Sequence, residues 1–110
     1  MILKGRNFLK EEIMNQYISI LTPARKNMHK TVTEAEMKII ETHSEYLTEK
    51  HKIGIVTFAG TSFEERQEHF AIVVVNAADK AKAAIIINSD PAVENGLLIS
   101  TLTEFNTFLK

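Results

Sequence analysis

The sequence predicts an α+β fold, one antiparallel sheet of four strands with two helices in the order β-α-β-β-α-β. Three stretches carry that prediction. Thr33 to Gly60, TEAEMKIIETHSEYLTEKHKIGIVTFAG, reads as one amphipathic helix feeding a strand. Phe70 to Val75, FAIVVV, is apolar and rich in β-branched residues, as a strand covered on both faces is. Ser89 to Gly96, SDPAVENG, is punctuated by proline and glycine and separates a second helix from a last strand.

In chain order, residues 1–16 form an N-terminal extension ahead of a domain at 17–110. Ile2, Leu3, Phe8, Leu9, Ile13 and Met14 recur at loosely helical spacing, which suits a short helix, an arm packed on a neighbour, or a weakly ordered lead-in. Tyr17 to Leu21, YISIL, is a short run of β-formers, ended by Thr22-Pro23 because proline cannot donate to a ladder. Arg25, Lys26, His29 and Lys30 follow in a polar loop. Thr33 then caps the first helix. Glu36 completes a capping box, and Val32 and Met37 are spaced as a hydrophobic staple. Met37, Ile40, His43, Leu47 and His51 share one stripe, whereas Glu34, Lys38, Glu41, Glu45 and Glu49 fall on the wet side. Gly54 closes the helix.

Ile55 to Ala59 is the second strand, ended by Gly60, and Thr61 to Gln67 is a polar hairpin loop. After the third strand, Asn76 caps a second helix over Ala77 to Asn88, in which Ala81, Ala84 and Ile85 offer a face with small side chains. Asp90 precedes a proline and is held out of the α region. It caps a single helical turn with Pro91 first and Gly96 leaving it. Leu97 to Phe105 is the fourth strand, and Phe108 and Leu109 in the tail require burial. This order is the ferredoxin-like arrangement. Two helices cover one face of a sheet, yet the third strand is apolar on both. The second face therefore predicts a homodimer joined sheet to sheet.

A chain of 110 residues can bury a core of its own as one domain. Without cysteine it has no disulfide, no thiolate metal site and no cysteine nucleophile. A formal charge of −1 gives no global reason to hold nucleic acid or an anionic membrane. The apolar runs are far shorter than a bilayer span, and acidic residues interrupt the N-terminal stretch where a secretory leader would be uniformly apolar. A cytoplasmic protein is the expectation. The histidines His29, His43, His51 and His69 lack metal-ligand spacing, and the few glycines form no phosphate loop. Neither metal nor cofactor is expected.

His43 is the local oddity, a titratable imidazole amid an apolar stripe. Such a histidine is either satisfied by a backbone carbonyl or poised for acid–base work. An aspartate on one ring nitrogen fixes the tautomer and favours the charged ring, which leaves the other nitrogen as a tuned base or acid. Asp90 has its own bland explanation as the cap before Pro91. Arg25 is either a solvated loop residue or, through its planar fork, a clamp for an anionic ligand.

Placed in order, His43-Ser44-Glu45-Tyr46-Leu47, Gly54, Ala59-Gly60, Asp90-Pro91-Ala92-Val93 and Gly96 resemble the pattern of the YCII-related (YciI-like) proteins. The resemblance runs over residues 17–105. It departs at Thr61, where the family has a proline, at Glu68, His69 and Phe70, where it has glycine and small hydroxyl residues, and at the C-terminal tryptophan, replaced here by phenylalanines. It implies a ferredoxin-like subunit forming a dimeric α+β barrel, with a His/Asp centre that falls on His43 and Asp90. The function then expected is cofactor-free acid–base catalysis on a small cyclic or aromatic compound: proton abstraction, elimination or isomerisation, with Arg25 as the anion clamp. The alternative is a non-catalytic dimeric ligand-binding or accessory domain using the cleft in which the resemblance places that His/Asp centre.

Overall fold

The computed structural model describes residues 14–62 and 69–109. The strands β1 (Asn15–Pro23), β2 (Val56–Thr61), β3 (Ala71–Ala77) and β4 (Leu98–Phe105) form one antiparallel sheet in the order β2-β3-β1-β4. Among the described residues four helices accompany them: α1 (Met28–Thr31), α2 (Glu34–Lys52), α3 (Lys80–Asn88) and α4 (Pro91–Glu94). This is the ferredoxin-like α+β fold, with two single turns, α1 and α4, added to its two long helices. No helix among the described residues is long and apolar enough to cross a membrane. The expected N-terminal helix or arm falls mostly on residues 1–13, and most of the hairpin loop on 63–68; both lie outside the described residues.

Alternation along the strands sorts the side chains into two faces. Tyr17 and Leu21 of β1, Val56 of β2, and Val73, Val75 and Ala77 of β3 are buried together with Ala83 and Ile87 of α3, which makes the main core. A second cluster joins Met28, Ala92 and Leu97, with Ile39 and Ile40 of α2 packed against it. The opposite face of the sheet carries Ile20, Phe58, Phe70 and Ile99, all exposed large hydrophobics.

The cap signals at α2 and α4 are realised as bonds. The Thr33 hydroxyl accepts from the Glu36 N–H at 3.1 Å, and the Glu36 carboxylate accepts from the Thr33 N–H at 2.9 Å. Gly54 and Gly96 take φ of +84° and +78°, the left-handed values that let the chain turn sharply after each helix.

Several expectations are corrected by long-range packing. The second long helix is capped by Asp79 and not by Asn76, because β3 continues to Ala77, which pairs with Asn15. The Asn76 side chain instead donates to the Gly54 carbonyl at 3.0 Å. The buried face of α3 is Ala83 and Ile87, and Ile85 is 65% exposed. The run AKAAIII is apolar on nearly every side, so its periodicity could not select a face. Part of the polar loop folds into α1, which exists to insert Met28 into the second cluster. Met37 is 45% exposed and does not act as a buried staple residue. Phe108 and Leu109 are exposed as well.

Candidate active site

The site is assembled from two elements distant in sequence. His43 sits midway along α2, and Asp90 is the residue that starts α4. The second hydrophobic cluster brings these elements together. Ile39 and Ile40 lie about one turn before His43 on α2, and Ala92 follows Asp90 inside α4. Burying those apolar groups presses α4 onto α2 and sets the polar pair face to face.

The pair is close. His43 Nδ1 lies 2.8 Å from Asp90 Oδ1 and 2.7 Å from Oδ2. Asp90 Oδ1 also accepts from the Ala92 N–H at 2.9 Å. One side chain therefore does two jobs: it caps α4 and engages the imidazole. The histidine side chain is 15% exposed and the aspartate 3%. A buried carboxylate needs such partners, because losing water without replacing it costs several kcal/mol. With Asp90 as a carboxylate, which only accepts, the proton sits on Nδ1. Nε2 is then the acceptor of the neutral ring, and it takes no hydrogen bond among the described residues.

Tyr46 is a third member that the sequence reading did not single out as a site residue. Its hydroxyl donates to the Ile86 carbonyl at 2.7 Å, which ties α2 to the end of α3 just ahead of Asp90. Burial pushes the phenol above its ordinary pKa, and the Asp90 carboxylate adds to the shift. The signal was available, since Tyr46 lies three residues after His43 and shares its side of the helix. Its partner, a backbone carbonyl in α3, could not be read from the sequence.

Arg25 is engaged elsewhere. Its Nη1 and Nη2 donate to the two Glu36 oxygens at 2.8 and 2.9 Å; Nη2 also reaches the Thr31 carbonyl at 2.9 Å, and Nε the Thr31 hydroxyl at 3.2 Å. The fork expected to meet an anionic ligand thus holds the capping-box glutamate, and no hydrogen bond joins Arg25 to His43 or Asp90. The guanidinium keeps the Glu36 carboxyl down at about 2. Among the described residues no three His, Asp or Glu side chains converge as a metal site requires. Of the other histidines, His29 and His69 stack with ring centroids 5.1 Å apart, and His51 bonds the Val56 carbonyl.

No protein-family model and no curated protein matches this sequence. Solved structures do match in shape. One is 5-chloro-2-hydroxyhydroquinone dehydrochlorinase from Burkholderia phenoliruptrix, in complex with 2,5-dihydroxybenzoquinone. It superposes with a TM-score of 0.60 at 11% identity, over 82% of this chain and 93% of that one. Another is SnoaB, a cofactor-independent oxygenase from Streptomyces nogalater, in a point-mutant form, with a TM-score of 0.47 at 10% identity over 88% and 95% of the two chains. The dehydrochlorinase likeness shows that this chain shares the α+β fold of that protein.

Proposed function

We propose that this chain is a cofactor-free acid–base enzyme of the YCII-related kind, with His43 as the proton-transferring group and Asp90 as its orienter. The observation that carries the reading is the 2.7–2.8 Å contact between His43 Nδ1 and a carboxylate already fixed by the Ala92 N–H. Asp90 holds the proton on Nδ1, so Nε2 is free to take one from a substrate. As it does so the ring becomes an imidazolium, and the Asp90 charge beside it stabilises that state. The electron pair of the broken C–H or O–H bond stays on the substrate. It moves into the ring system, and either a leaving group departs with its own bonding pair or the proton returns at a different atom. The first course is an elimination, the second an isomerisation. Partial exposure of His43 leaves the imidazole within reach of a small compound.

A shared fold does not carry an activity across, but it selects the first compounds to assay. The dehydrochlorinase neighbour suggests hydroxylated and chlorinated quinols. Chloride release and exchange of ring protons with deuterated water are the readouts. Wild-type protein is expected to turn over one of them, and His43→Gln to lose on the order of a hundredfold or more in kcat. Asp90→Asn, which keeps the cap, is expected to lose less. Turnover that survives His43→Gln would remove the histidine from the mechanism, and saturable binding without turnover would favour the ligand-binding alternative. A clamp role for Arg25 requires a substrate anion to displace Glu36; Glu36→Gln should then lower KM.

The enzyme is proposed to work as a homodimer. Ile20, Phe58, Phe70 and Ile99 lie on the face that the helices leave bare, and apolar patches of this kind are covered in stable proteins. Pairing two such faces, at about 25 cal/mol per Å² of apolar area, is a sufficient driving force. Ile20→Glu should give a folded monomer by sedimentation. A wild-type chain that sediments as a monomer at micromolar concentration would sink this part of the proposal alone.

A further inference from the structure

A second histidine on α2 has a locked tautomer and borders a cleft of its own. His51 Nδ1 lies 2.9 Å from the Val56 carbonyl oxygen. A carbonyl can only accept, so Nδ1 carries the proton whatever the charge of the ring. The Val56 oxygen belongs to β2, an edge strand, where backbone acceptors lack a partner strand on the outer side. The imidazole supplies the missing donor, and in the neutral ring its Nε2 remains as an acceptor. Among the described residues Nε2 has no hydrogen-bond partner.

The surroundings give that atom a use. Leu47, Thr48 and His51 of α2 and Val56, Phe58 and Ala59 of β2 line a cleft of about 390 Å³. Its walls are mostly apolar. The Thr48 hydroxyl donates to the Ser44 carbonyl at 2.8 Å, whereas the imidazole is held by its Nδ1 contact with Nε2 unbonded among the described residues. The frame is held from behind: the Ile55 N–H bonds the Lys50 carbonyl at 2.9 Å, and the Asn76 N–H bonds the Ile55 carbonyl at 2.8 Å. A cleft of a few hundred Å³ with apolar walls and one oriented polar atom is what a single-ring ligand requires.

We infer that the cleft between the C-terminal half of α2 and β2 binds a small planar ring bearing a hydroxyl, which donates to His51 Nε2 while the ring packs on Leu47 and Ala59. An amine head is excluded as the preferred guest, because it would present a charge to apolar walls with no anion among the lining residues. The cleft is separate from the His43 and Asp90 pair. Eight residues along α2 place His51 about 12 Å from His43 along the helix axis. The inference therefore does not depend on any catalytic role for His43.

Phenol is the probe, and anisole, the same ring without the donor, is its control. Long-range 1H–15N correlation spectra of the whole chain read the imidazole nitrogens directly. Phenol should move the His51 Nε2 resonance saturably, with a dissociation constant on the order of 1 mM, together with the Val56 and Ala59 amides. Anisole should bind on the order of tenfold more weakly and leave Nε2 in place. Because His51→Ala also removes the bond to Val56, Ala59→Leu is the second variant. It fills the cleft, leaves that bond intact, and should abolish the phenol response. Equal responses to phenol and anisole, a linear response without saturation, a response confined to His43, or an undiminished response in Ala59→Leu would each overturn the assignment.

Discussion

Helix α2 carries two carboxylate pairs of nearly equal length and very different character. At its start, Arg25 holds Glu36 at 2.8 Å, with side chains 40% and 18% exposed. Midway, His43 holds Asp90 at 2.7 Å, with side chains 15% and 3% exposed. The first pair joins residues close in sequence, has a half-exposed arginine and reinforces a capping box. The second joins residues far apart in sequence, is shielded from water, and includes an imidazole that can hand a proton to or from a guest through its second nitrogen. Distance alone would rank them together. Burial and titratability separate a structural brace from a candidate site: water and salt weaken the brace, whereas the buried pair can be neither screened nor broken without leaving a desolvated charge.

The largest expected difference comes from deleting the buried carboxylate. Asp90→Ala removes both the cap of α4 and the partner of His43, and should cost about 2–4 kcal/mol in urea unfolding. Asp90→Asn restores the cap and should recover about half of that loss. If Asp90→Ala cost no more than Glu36→Ala, the contrast between the pairs would collapse.

A smaller effect is expected at Tyr46. Tyr46→Phe leaves the ring in place and removes the bond to the Ile86 carbonyl, at about 1 kcal/mol. If that bond sets the spacing of α2 and α3, the amides of Ile86, Ile87 and Asp90 should shift in the variant while those around Arg25 stay fixed. Shifts confined to residues next to Tyr46 would reduce the tyrosine to local packing.

The exposed brace predicts a pH signature. Glu36 is held at about 2 when folded against 4.5 for an ordinary glutamate, chiefly by its bond to Arg25. A depressed folded value means that the contribution of this group is fully present above the unfolded value. It is lost as pH falls from about 4.5 toward 2. Stability measured across that window should be flatter in Glu36→Gln, and the difference should shrink in 1 M salt because exposed charges are screened. A salt-independent difference would show the pair to be better shielded than its exposure indicates. The smallest effect belongs to Met37→Ala, expected to stay within about 0.5 kcal/mol because the side chain is largely in water.

What could be read in advance follows one physical line. Signals that act within a few residues were legible: the Thr33 and Glu36 box, the Asp90-Pro91 cap, the turns at Gly54 and Gly96, and the β character of the strands. Each is fixed by backbone sterics or a local hydrogen bond, which the sequence contains in full. The resemblance to a known family added the expectation that His43 and Asp90 belong together. Tertiary packing decided the rest. Met28, Ala92 and Leu97 had to meet before α4 could lie on α2 and bring Asp90 to the imidazole. The reach of β3 to Ala77 depended on pairing with Asn15, which moved the cap of α3 to Asp79. An all-round apolar α3 took its buried face from the sheet beneath it. Arg25 met Glu36 because the turn through α1 brings the chain back so that Arg25, Thr31 and Glu36 meet, and a charge chooses its partner by distance. Such choices are made by surfaces that exist only once the chain has closed on itself, so no short window of sequence contains them.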